Sequence, residues 1–247
     1  MNMQYSTEIR KIVDQKQAGG MLTLDDFPEE WPRNTVTQIL SRIVDEGKLE
    51  RVKRGVYSKV TETRFGKLKS SSIEVLANEI KADDNKCFGG LFLFNNLGLT
   101  TQVPTTIEVL NNKSSYKLKV GSTLVRYVRI RPKITKENKQ LIMYLEVLKN
   151  SKKIPDGSAS RTYEWLEKRI DSYSYIEIKK LVELSLEYPP RVRAMLGSLL
   201  EMQNQNFAYE IERSLKNNTP YSIGYIAEYF MNRDRWRLKF ETSRKSR

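Results

Sequence analysis

The side chains best suited to reading a nucleic acid lie between residues 33 and 55. Asn34, Thr35, Thr37, Gln38, Ser41 and Arg42 are interleaved with Val36, Ile39, Leu40, Ile43 and Val44. The apolar set falls at i, i+3, i+4, i+7 and i+8, the pattern of a buried helical stripe, so the polar set faces the other way. Asn and Gln amides complement adenine, Arg complements guanine, and hydroxyls reach base or phosphate. Arg33 heads the segment. Thr35 and the first-turn N–H groups can take a phosphate oxygen, because a helix start leaves its donors unpaired.

A basic ribbon follows directly. Leu49, Val52, Val56 and Tyr57 surround Arg51, Lys53, Arg54 and Gly55, which reads as two short strands joined by a tight turn at Arg54-Gly55. Residues 48–69 hold eight basic and two acidic residues, whereas residues 1–47 are net negative. Lys48 and Lys59 flank the ribbon, and its tip is shaped for a minor groove or the backbone. A polar helix face or a charge run alone is most often a solvated surface. Helix and basic ribbon in this order say more together than either does singly.

Other chemistries are poorly supplied. The chain has no histidine, which removes imidazole bases, His ligands and His-containing triads. A lone Cys87 can form neither an internal disulfide nor a cysteine metal site, as befits a reducing compartment. Asp25-Asp26, Glu29-Glu30 and Asp83-Asp84 are adjacent pairs, and adjacent side chains on a helix do not converge on a metal. Walker-type and GxGxxG spacings are missing. The expectation is a protein that is not an enzyme and uses no metal or cofactor. A nuclease built on scattered carboxylates is the remaining catalytic alternative.

The elements that must position these residues suggest an α+β protein in three zones. With 247 residues, the chain is long enough for one large domain or several small ones. Residues 1–69 read as a winged helix-turn-helix: a helix over about 5–17, a brief strand at Met21–Thr23, a short helix from Asp25 to Phe27, the Asn34–Glu46 helix ended by Gly47, then the ribbon. Ile12, Phe27, Val36, Leu40, Ile43 and Leu49 supply its expected core. Residues 70–157 read as a mixed α/β middle domain. It has a helix over Ser71–Lys81, an ambiguous Gly89–Leu97 segment, strands at Thr105–Leu110, Tyr116–Val120 and Val125–Ile130, and a Leu141–Leu148 run that fits strand or helix. Residues 158–247 read as helical, with a fifth helix near Tyr221–Phe230 and a basic tail. Most of the tyrosines in this zone fit helix packing, with Tyr188, Tyr221 and Tyr225 left open.

The formal charge of +13 favours a polyanionic partner. A second basic zone spans Lys113–Lys139, with nine basic residues and one acidic, and includes Arg126, Arg129 and Arg131. These arginines could extend a nucleic-acid footprint, meet an acidic protein, or form ion pairs within a sheet. Residues 1–20 contain no continuous apolar stretch, and the run Leu91–Leu99 is too short and broken to span a bilayer. A cytoplasmic protein without a membrane partner is expected.

Three blocks carry a family resemblance. Leu40-Ser41-Arg42-Ile43 with Gly47, Arg51 and Arg54-Gly55-Val56-Tyr57 resembles the winged-helix signature of the AbiEi-like antitoxins of bacterial abortive-infection systems. The block from Gly90-Leu91 through Asn96-Leu97-Gly98-Leu99-Thr100-Thr101-Gln102-Val103-Pro104 is similar to that family's middle segment, where a helix runs into a turn. Tyr188-Pro189-Pro190 through Gly197 is similar to the C-terminal part of related proteins. The resemblance implies an operator-binding autorepressor that counteracts a nucleotidyltransferase-like toxin without a tight complex. It also implies phage defence. An ordinary winged-helix regulator with no toxin partner, and a protein scaffold with incidental charge, are the alternatives.

The ribbon tip generates a direct expectation for double-stranded DNA. Arg54→Ala should lower affinity and flatten its log–log salt dependence by roughly one unit, the signature of one lost phosphate contact. A filter-binding titration across salt measures this, and an unchanged slope counts against contact by the tip.

Overall fold

In the computed structural model of the chain, residues 2–17, 20–63, 66–68, 76–77, 80–120, 123–154, 158–203 and 206–240 are described. Two compact units form where the sequence suggested three zones. The first comprises residues 1–82 with 117–125, the second residues 83–116 with 126–247.

The first unit opens with helix α1 (Asn2–Gln15), strand β1 (Met21–Thr23) and a single 3-10 turn at Leu24–Asp26. That turn replaces the short helix expected over Asp25–Phe27. Pro28 disfavours the helical region for the residue before it, and Phe27 is extended at φ −116°, ψ 146°. Asp26 fixes the turn. Its carboxylate accepts from the Thr23 N–H and the Lys16 ammonium, both at 2.7 Å. Partial burial works the other way, but these two donors hold the Asp26 carboxyl below the usual carboxylate range.

Helix α2 (Arg33–Asp45) follows, then strands β2 (Leu49–Lys53) and β3 (Val56–Lys59). The antiparallel sheet has the order β1-β3-β2. Gly47, at φ +71°, lets the chain leave α2 in the left-handed conformation, and the Lys48 N–H donates to Ile43 O at 3.2 Å. Leu49 and Val52 are both buried although three residues apart, because the register shifts between Arg51 and Lys53. Ile9, Val13, Leu22, Phe27, Val36, Ile39, Leu40, Ile43, Leu49 and Tyr57 form the core. Ile12, expected there, is only half-buried at its edge, and Ile9 and Val13 carry that face of α1 instead. A further hairpin, β4 (Thr61–Thr63) with β5 (Gly66–Leu68), follows. Of the helix expected over Ser71–Lys81, residues 71–75 and 78–79 lie outside the described residues, while Leu76 and Ile80 are buried.

In the second unit, strand β6 (Lys86–Gly89) runs into helix α3 (Gly90–Asn96), so the ambiguous Gly89–Leu97 segment is helical apart from Gly89, which ends the strand, and Leu97, which caps the helix. A Cβ on Gly89 would come within 2.8 Å of Leu110. Gly90, at φ +56°, makes the turn between strand and helix. Strands β7 (Thr106–Asn111), β8 (Tyr116–Val120) and β9 (Thr123–Arg129) complete a sheet of order β6-β7-β9-β8, of which residues 117–120 and 123–125 fall in the first unit. Helix α4 (Lys139–Asn150) buries Leu141, Ile142, Tyr144, Leu145, Val147 and Leu148. A helix buried nearly all round shows no clear periodicity, which is why its run fitted strand or helix.

Helices α5 (Ala159–Asp171), α6 (Tyr175–Ser185), α7 (Pro190–Met202) and α8 (Ala208–Arg213) form the helical region. The fifth helix expected near Tyr221–Phe230 is a two-residue strand, β10 (Tyr221–Ser222), and a 3-10 turn at Gly224–Tyr229. Strand β10 pairs in parallel with β11 (Leu238–Lys239). Tyr188 and Tyr221 pack inside, whereas Tyr225 is exposed. Much of the basic tail is folded. Trp236 is buried, its indole N–H donates to Glu201 at 2.8 Å, and residues 241–247 lie outside the described residues.

Trp236 fits because α7 carries glycine at 197. A Cβ there would fall 2.2 Å from the indole ring. Gly197→Ala should therefore destabilise the protein by about 1–3 kcal/mol through overpacking, although alanine is the better helix former. Thermal unfolding followed by tryptophan fluorescence measures this, and an unchanged or raised Tm would contradict the packing.

Candidate nucleic-acid interface

The buried stripe of α2 determines what the helix shows outward. Val36, Ile39, Leu40 and Ile43 are buried, and Asn34, Gln38 and Arg42 are exposed. These three lie at i, i+4 and i+8, so they form one row along the outer face. Helix α2 packs against β2, on which Arg51 is exposed, and Arg54 is exposed at the turn leading to β3. Gly55 closes that turn at φ +75°. Among the described residues, Arg42, Arg51 and Arg54 enter no ion pair. The row of base-matching side chains and the basic turn thus belong to one folded unit. The side chain of Lys53 lies outside the described residues.

Other expected contacts are engaged inside the protein. The half-buried Arg33 donates to the carbonyls of Leu24 and Phe27, tying the 3-10 turn to the start of α2. The Thr37 and Ser41 hydroxyls donate to carbonyls one turn back, at 2.8 and 2.9 Å. Their oxygens keep acceptor capacity, but donating to a phosphate would break those bonds. Thr35 is half-buried in the first turn, where Pro32 provides no side-chain cap. Lys59 caps α1, donating to Asp14 O at 2.6 Å and Lys16 O at 2.9 Å. Tyr57 is fully buried and joins the sheet to the helices. Arg10, which the sequence reading did not single out, braces α1 to the end of α2 by a two-pronged bond to Glu46 at 2.6 and 2.7 Å.

The spacing of Arg129 and Arg131 predicts that these two share a strand face, but the strand ends at Arg129. Arg126 pairs with Glu108 of β7, so it serves the sheet. Arg129 is the last residue of β9, and its N–H donates to the Ser115 hydroxyl at 2.9 Å. Arg131 lies beyond the strand end and lines a hollow with Arg129 and Lys133. No helix among the described residues is long and apolar enough to cross a membrane.

The fold is that of an α+β protein whose first unit resembles a winged helix-turn-helix, a module consistent with DNA binding and transcriptional regulation. The chain belongs to a family of unknown function, DUF6088, whose model matches residues 8–171. It is also similar in fold to the RV2827C protein of Mycobacterium tuberculosis, known from a crystal structure. The two share 10% sequence identity and a TM-score of 0.53, over 93% of this chain and 88% of that one. No curated protein sequence is a match.

The sorting of side chains separates two kinds of variant. Gln38→Ala and Arg42→Ala should each erode discrimination between a preferred duplex and scrambled DNA by about 1–3 kcal/mol, as for a lost bidentate contact. Lys59→Ala should leave that discrimination intact and lower stability by about 0.5–1 kcal/mol, since it removes a cation from a helix C-terminus. Competition binding beside denaturant melts reads both. Equal losses on both DNAs would remove base reading from α2.

Proposed function

We propose that this protein is a sequence-reading DNA-binding regulator that acts by occupying its site and carries out no catalysis of its own. The Asn34, Gln38 and Arg42 row enters the major groove, and the Arg51–Tyr57 wing holds the backbone or minor groove. One observation carries the reading: a base-matching row and an unpaired basic turn project from a single packed unit. The row has the hydrogen-bonding groups that base edges require, and the turn has the charge that phosphates require.

Within that reading we propose the narrower role of autorepressor and antitoxin opposite a nucleotidyltransferase-like toxin. The likeness of residues 34–57 and 90–104 to the AbiEi-like antitoxins supports it, while residues 188–197 are similar to related proteins of unassigned function. In this structure the second and third blocks hold structural positions. Gly98 at φ +70° ends α3, and the Asn95 side chain clamps the following turn through Gln102 O at 3.1 Å. Pro190 opens α7 at a position where a missing N–H costs nothing. Sequence blocks of this kind speak for shared folding. The antitoxin role therefore needs its own test: expression beside the neighbouring reading frame, with growth as the readout.

The regulator reading is tested by a low-salt shift assay on the DNA upstream of the protein's own gene. The full chain is compared with Gln38→Ala/Arg42→Ala and with a chain lacking residues 1–69. The full chain should shift this DNA in preference to scrambled duplex. The double variant should lose that preference, and the truncated chain should lose the shift. Equal shifts from all three would overturn the reading.

A further inference from the structure

Away from the winged unit, the second unit holds a hollow of about 450 Å³ that combines an aromatic platform with lysines. Tyr116 of β8 stacks on Tyr127 of β9, with ring centroids 4.4 Å apart and planes within 8° of parallel. Tyr127 is buried, while Tyr116 is 45% exposed and lines the hollow. Lys113 and Lys133 also line it, and Lys133 and Asn112 are shared with the adjoining hollow of Arg129 and Arg131. Among the described residues, Lys113, Arg129, Arg131 and Lys133 enter no ion pair. Among the described residues, Asp83 is the carboxylate lining the hollow beside Tyr116, and it is paired with Lys86 at 2.5 Å.

The loops that present these cations are braced from below by asparagines. The Asn112 side chain donates to Ile130 O and Pro132 O, at 3.2 and 2.7 Å, and accepts from the Ile134 N–H at 2.8 Å. Asn111 accepts from the N–H groups of Lys113 and Ser114 at 2.7 and 3.1 Å. Asn138 donates to Lys133 O at 2.8 Å. Like charges held close together on braced backbone repel one another, and an anion between them relieves that repulsion. With Asn111 and Asn112 engaged on backbone, their amides are not free to read a base edge.

We propose that this hollow binds a nucleotide whose base is unpaired. The base stacks on the exposed surface of Tyr116, Lys113 and Lys133 take the adjacent phosphate, and Arg129 and Arg131 take the next. Aromatic platforms accept any base by its π-face, so preference among bases is weak. A duplex already stacks its bases internally and gains little from Tyr116. The shared chemistry, a stacked base beside two or more phosphates, occurs in a free nucleoside triphosphate and in a single strand. This site is independent of the proposed operator contact.

Calorimetric titration of the full chain tests the proposal with four probes: ATP, single-stranded octaadenylate, inorganic tripolyphosphate and a blunt DNA duplex. ATP or the octamer should bind, and the tighter of the two identifies the source. Tyr116→Leu should weaken that binding about tenfold or more, as loss of a stacked base does, and leave tripolyphosphate unchanged. Lys113→Glu/Lys133→Glu should weaken ATP, octamer and tripolyphosphate alike, and Gln38→Ala should alter none of them. Because both lysines are exposed, this pair decides the matter should Tyr116→Leu fail to fold: lost binding supports the site, and retained binding overturns it. Absence of both ATP and octamer binding overturns the proposal. So does affinity within twofold of the parent in every variant, or a duplex that competes as well as the octamer.

Discussion

Burial of one stripe of α2 is the constraint on which the first unit depends. Val36, Ile39, Leu40 and Ile43 meet α1, β2 and the ring of Tyr57 in one core. Fully burying such side chains is worth about 1.5–3 kcal/mol each, so rolling the helix enough to expose them would cost several kcal/mol. That term far exceeds anything the outer polar residues could gain by turning inward. Asn34, Gln38 and Arg42 point outward because the opposite face cannot.

Cations in this protein divide into those engaged by the fold and those left over. Arg10 meets Glu46, Arg33 meets the carbonyls of Leu24 and Phe27, Lys59 caps α1, and Arg126 pairs with Glu108. Each sits where a carboxylate or an orphan carbonyl needs a partner. Arg42, Arg51, Arg54, Lys113, Arg129, Arg131 and Lys133 have no ion-pair partner among the described residues. Three of these seven belong to the winged unit and four gather around the hollows of the second unit. The distinction matters because an engaged cation contributes to stability, whereas an unpaired one adds to the field an anion meets.

Asparagine does around β7 and β9 what glycine and proline do around α2 and β2. Gly47 and Gly55 permit left-handed backbone at the ends of α2 and β2, and Pro28 stops the 3-10 turn. Around β7 and β9 the chain is instead held by amide side chains bonded to the backbone of loops, as with Asn111, Asn112 and Asn138. Such bonds satisfy peptide groups that no strand ladder reaches, and they fix the direction of neighbouring side chains.

Local pattern was enough for α2, its Gly47 stop, the Arg54-Gly55 turn and the three strands of the middle region, since periodicity and turn chemistry are carried by neighbouring residues. It was enough, too, for the exposure of Gln38 and Arg42. Two things needed the tertiary structure. The segment near Tyr221 became strand and turn, and α4 had no readable period because it is buried nearly all round; the 3-10 turn before Pro28, by contrast, follows from the proline itself. Partner choice was likewise invisible: whether Arg33, Lys59 or Arg126 meets solvent or a protein oxygen depends on chain segments brought close by folding. The meeting of Tyr116 and Tyr127 with lysines 113 and 133 follows from the same cause. Sequence states which groups exist and how each element repeats. Which groups face each other is decided only when distant elements pack, because charge and hydrogen-bond partners are a property of space and not of spacing.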